Sequence, residues 1–251
     1  MNYGLYLSAT GAVSSMHKQD VHANNLANVN TVGFKPDIAV TRDRLPAREE
    51  GGHLPIEPKW LLEKLGGGHY VDPTRVSLAQ GALNFTDNTL DVAISGDGFF
   101  VVEGQQLTRD GRFSLDADGT LVMAGTGKRV LGAENQPIHL DDQHDVLINT
   151  DGEISQGGRI VGRLQIVQPA DPTSLQKIGH SLLRVDPNSR SGLTPATGRA
   201  MQGHVEASSV DPIMTMNSMI NASKAVSSNA TMMQYHDHIM DQAINTFGRV
   251  A

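Results

Sequence analysis

Residues 211–248 read DPIMTMNSMINASKAVSSNATMMQYHDHIMDQAINTFG. Asp211 and Pro212 open a helix: a carboxylate at the cap, then a proline where its missing N–H costs nothing. Met216, Met219, Ser223, Val226, Ala230, Met233, Asp237, Met240, Ile244 and Phe247 follow in alternating steps of three and four. That mean period of about 3.5 keeps one seam on one side of a helix and supercoils it around a partner. No proline interrupts the run, and Gly248 stands where a glycine ends a helix. The helix would be about 50 Å long and could not bury its seam alone.

The other end of the chain offers the partner. Leu5, Ala9, Ala12, Met16, Gln19, Ala23 and Leu26 step by four and three, again without proline. Small residues at several of these sites allow close backbone approach. A short heptad run is ordinarily an amphipathic helix lying on a core. Two matching seams at opposite termini instead predict that the two helices pack on each other as an antiparallel coiled coil.

Between them the texture changes. The chain of 251 residues has 26 glycines, no cysteine and only 4% aromatic residues. Zero cysteines exclude disulfides, thiol catalysis and thiolate metal sites. A net charge of −7 argues against nucleic acid or an anionic membrane as partner. No apolar run approaches the 18 or so residues of a membrane span, and the N-terminus lacks the pattern of a cleavable leader. Residues 37–75 hold a charge run (Arg42 to Glu50), glycine pairs and one apolar anchor around Trp60, and read as an extended connector. From Val76, short apolar runs recur: Leu90–Ile94, Phe99–Val102, Arg112–Leu115, Thr120–Met123, Val146–Ile148 and Ile160–Val167. Asp-Gly pairs at 97, 110, 118 and 151 mark hairpin turns beside them. The expected fold class is α+β. Residues 1–36 and 204–251 form a paired-helix domain, 37–75 the connector, and 76–203 an all-β, turn-rich domain.

No chemistry-bearing motif survives inspection. A calcium loop built on Gly119 would need a glutamate where Gly125 stands. Gly125-Thr126-Gly127-Lys128-Arg129 has Arg where a phosphate loop needs Ser or Thr, and Val122 where it needs glycine. His236 and His238 splay by about 200° on a helix. We therefore expect no catalytic, cofactor-binding or metal-binding residue, and a structural role. Seven of the ten methionines fall between 201 and 240, giving the last helix surfaces that adapt to several neighbours.

Three stretches carry a more specific signal. The first helix runs into ANNLANVNTVGFKP at 23–36, with four asparagines in seven residues. LDVAISGDGFF follows at 90–100 and EASSVD at 206–211. In this order they closely resemble the three shared blocks of the flagellar axial proteins, which form the rod and hook of the bacterial flagellum. The resemblance implies a structural subunit that assembles helically with copies of itself and other rod proteins, and that transmits torque from motor to hook. It implies delivery through the flagellar export apparatus to the periplasm-spanning basal body without a cleavable signal, and no membrane insertion. Length and a single β domain fit a rod protein better than a hook protein. They lean toward the minor component joining proximal to distal rod, with the distal rod component second. The expected assembly interface comprises Leu5, Ala9, Ala12, Met16, Ala23, Asn24, Asn25, Leu26, Asn28, Gly33 and Phe34 on the first side. On the second it comprises Met216, Met219, Val226, Met233, Met240, Ile244 and Phe247. The rival reading is a free β-structured binding module whose terminal helices make a small closed oligomer.

Overall fold

The computed structural model describes residues 3–45, 66–141, 144–187 and 192–247. Trp60, most of the charge run and Gly248 lie outside the described residues. Helix α1 (Tyr3–Ala27) opens the chain and α2 (Pro212–Gln242) closes it, running into a π-helical turn at Ala243–Phe247. The architecture is α+β, with short strands filling the middle. None of the described helices is long and apolar enough to cross a membrane.

Two compact units divide the chain: residues 1–26, 37–74 and 212–251 form one, 27–36 and 75–211 the other. In the first unit α1 stops where the asparagines crowd. Asn25 is buried and reaches across the turn, its Nδ2 donating to the Asp37 carbonyl at 2.8 Å while its Oδ1 accepts from the Asp37 N–H at 2.9 Å. One amide thus reproduces a strand-like pair of bonds and starts β1 (Asp37–Asp43), which pairs with β2 (His69–Val76). Arg44 holds this hairpin on α1, its guanidinium 5.7 Å from the Tyr6 ring centre and 5.1 Å from that of Tyr70.

Glycines record how α1 meets α2 in this unit. A Cβ added at Gly4 would stand 2.5 Å from the His236 ring. One at Gly11 would stand 3.1 Å from the Asn229 amide.

In the second unit, β5 (Phe99–Val102) is the hub. All four of its residues are buried, because the two faces of the strand feed two cores. Phe100 and Val102 pack with Val92, Ile94, Phe113, Leu121 and Ile154. Phe99 and Val101 pack with Leu107, Val167, Leu175 and Leu183. Phe100 meets Phe113 edge to face at 5.2 Å. Around β5 the six-stranded sheet runs β13 (Leu175–Gly179), β14 (Leu182–Val185), β6 (Gln106–Thr108), β5, β12 (Ile166–Pro169), β15 (Leu193–Pro195). A second sheet holds β11 (Arg159–Arg163), β10 (Glu153–Gln156) and β9 (Val146–Ile148), and β7 (Phe113–Leu115) pairs with β8 (Leu121–Met123).

The apolar run Ile160–Val167 divides between β11 and β12, in different sheets. Leu164 makes its bridge to Gly132 instead. Two late strands close the unit against early ones. β16 (Arg199–Gln202) pairs antiparallel with β4 (Val92–Ser95), and β17 (His204–Glu206) with β3 (Leu83–Phe85). Gly203 turns the chain between them at φ 71°, donating its N–H to the Asp91 carbonyl at 2.8 Å.

Candidate assembly site

The three blocks picked out in the sequence meet at one buried ion group in the second unit. Glu206, at the end of β17, is 1% exposed, Lys35 2% and Arg109 4%. Lys35 Nζ donates to Glu206 Oε1 at 2.6 Å and Arg109 donates to Oε2 at 2.9 Å. Much of the remaining capacity is spent on backbone, while Arg109 Nε is buried without a partner. Lys35 also donates to the Ala79 carbonyl, Arg109 to the carbonyls of Ile94 and Gly96, and Gly81 N–H donates to Glu206 Oε1. The Arg109 guanidinium lies 5.1 Å from the Phe99 ring centre.

Local sequence explains how each member gets there. Gly33 adopts φ 67° with its N–H donated to the Glu206 carbonyl at 2.8 Å. A side chain at Gly33 would collide with the backbone of Arg109 and Asp110, so only glycine turns the chain here. Phe34 is buried under the Lys177 ammonium, 4.0 Å above its ring, and Lys35 is thereby aimed inward. Burial pushes Lys35 below the ordinary lysine value, opposed by its bond to and the charge of Glu206, while Arg109 adds to the depression. Beside the group, Asp110 accepts two guanidinium bonds from Arg112, which holds Arg112 above its usual value.

Of the residues expected at an interface, Gly33, Phe34, Asn25 and Ala12 are buried. Ala9, Leu26, Asn28, Met219, Val226 and Met233 are half-buried, and Ala23 and Asn24 exposed. Leu5, Met16, Met216, Met240 and Ile244 stand exposed. The side chain of Phe247 lies outside the described set. On α2 Ala222 is buried, Met219, Ala225, Val226, Asn229 and Met233 are half-buried, and Ile213, Ile220, Tyr235 and Ile239 face outward. Arg109 was not anticipated in the sequence, and neither were the roles of Lys35 and Glu206. Their only trace is a lysine beside Gly-Phe and a glutamate opening a stretch of small residues.

Comparison with known proteins gives three family matches in chain order. The profile described as flagella basal body rod protein matches residues 5–35. That of the flagellar hook protein FlgE/F/G D1 domain matches 93–156. That of the flagellar basal body rod FlgEFG protein C-terminal region matches 201–246. The flagellar basal-body rod protein FlgF of Caulobacter vibrioides is 32% identical over 259 aligned residues, covering 100% of both chains. The flagellar basal-body rod protein FlgG of Bacillus subtilis is 32% identical, covering 96% of this chain and 97% of its own. FlgF of Mesorhizobium japonicum is 30% identical over 99% of each.

Proposed function

Because the chain belongs to the flagellar basal-body rod protein family, we propose that it is built into the rod as a structural subunit between its proximal and distal parts. There it assembles helically with copies of itself and other rod proteins and passes torque from motor to hook. Delivery through the flagellar export apparatus belongs to the same reading. One observation carries it: the likeness to rod proteins runs the full length of the chain, across Lys35, Arg109 and Glu206 of the buried ion group.

The terminal helices are read as an antiparallel pair. Seven residues forward on α1, from Gly4 to Gly11, correspond to seven residues back on α2, from His236 to Asn229. That exchange supports opposed directions. Small residues at the contact let the backbones approach, and the outward Ile213, Met216, Ile220, Ile239 and Ile244 are left for neighbouring subunits.

Deletion of the gene tests the reading, with a tagged copy supplied in trans. Loss of motility, restored by the copy, with the tagged chain recovered in purified basal bodies is the expected result. Motile deletion cells, or a chain absent from basal bodies, would overturn it.

A further inference from the structure

The loop that fails as a phosphate loop lines a cleft of about 420 Å³ between Gly125, Thr126, Lys128 and the residues Gln106, Ile178 and His180. Two polar atoms there, Thr126 Oγ1 and Gln106 Oε1, are buried without a hydrogen-bond partner. Gln106 Oε1 is an acceptor that an N–H would satisfy, and the Thr126 hydroxyl can donate to a carboxylate. Lys128 makes no ion pair among the described residues and adds a positive charge. His180 and Ser181, at φ 51° and 58°, are the two turn residues of the β13–β14 hairpin, which sets His180 at the edge of the cleft. The cleft thus asks for a carboxylate beside a backbone N–H, which is the chemistry of an acidic peptide turn.

Such a turn sits at the opposite end of the strand that leads into the cleft. β8 enters from the turn Asp116-Ala117-Asp118-Gly119, closed by the Gly119 N–H on the Asp116 carbonyl at 2.9 Å. Asp116 and Asp118 are exposed at its tip. β8 leaves into Gly125–Lys128. One strand therefore carries an acidic tip before it and a basic cleft after it. We propose that the cleft receives the Asp116–Gly119 turn of a second copy, Asp118 meeting Lys128 and Thr126. The contact joins unlike surfaces, so it propagates instead of closing. It rests on the rod reading and gives that reading one lateral contact.

Mixed single-cysteine chains test it, since the native chain has no cysteine. Cells would make Ala117→Cys and Gly125→Cys copies together, and open space around Gly125 accommodates the side chain. Oxidised basal bodies should contain a cross-linked dimer only when both copies are present. Lys128→Glu in the Gly125→Cys copy should cut that dimer about tenfold, and Asp118→Lys in the other copy should restore it, as expected of a complementary charge pair. Chains present in basal bodies without the mixed dimer would overturn the contact and leave the rod reading standing. Chains absent from basal bodies would overturn both.

Discussion

Glu206 balances two buried cations, so the three members of its ion group are unequal. Replacing Glu206 by Gln leaves Lys35 and Arg109 facing a neutral amide inside the protein. Removing one partner of a buried pair costs about 3–5 kcal/mol, and here two charges lose theirs. Lys35→Met leaves Arg109 and Glu206 as a neutral pair and should cost clearly less. Urea unfolding followed by circular dichroism ranks the two, and an equal loss would show that the carboxylate is not the common partner. The pH dependence has a defined sign. Lys35 is held below 10.5 in the folded chain, so between its folded value and 10.5 only the unfolded chain carries that proton. Its contribution is fully present above 10.5 and fades as pH falls through the folded value. The stability of the native chain relative to Lys35→Met should therefore rise as pH climbs toward 10.5; a flat difference would contradict the depressed value.

At the scale of elements, both terminal helices were legible, because proline-free 3.5-residue spacing and the Asp211-Pro212 opening are strong local signals. On α2 the residues of the expected seam divide: Met219, Val226 and Met233 are half-buried. Hydrophobic periodicity follows the large residues, and here Met216, Met240 and Ile244 are exposed while Ala222 is buried. Extending the register from Gly11–Asn229 by four residues places Ser15 opposite Ala225. Cysteines at Ser15 and Ala225 should then form an intrachain disulfide, which needs Cα atoms within about 7 Å, whereas Leu5 with Met216 should not. The reverse result would make the helices parallel. Serine at both Met216 and Ile220 should leave the far-UV spectrum of the chain unchanged, because both are exposed, and should abolish recovery in basal bodies. A collapsed spectrum would mean these side chains serve the subunit itself. The connector was legible only as a break in texture. Its first strand depends on Asn25 clasping Asp37, a bond across 12 residues that no periodicity announces.

For the whole molecule, the Asp-Gly turns and the Phe99–Val102 run made the β-rich middle legible. The strands from Arg199 to Glu206 were not, because their partners β3 and β4 lie more than 100 residues earlier and Gly198 and Gly203 mask the pattern. A fragment of residues 27–211 contains the entire second unit and should unfold cooperatively. Residues 76–201 alone lack β17, Lys35 and Glu206, leaving Arg109 buried without its carboxylate and β3 without its partner strand. That shorter fragment should show no cooperative transition by calorimetry. A sharp transition in it would mean the closing strands are dispensable. The position of Glu206 also sets a clock. In a chain fed out N-terminus first, Lys35 and Arg109 emerge early and wait. The residue that neutralises them follows Arg109 by 97 positions. Until it arrives, burying the two cations is penalised, and the early segments stay open thread. A chain cut short before residue 206 would keep both cations and lack the one group that lets the unit close around them.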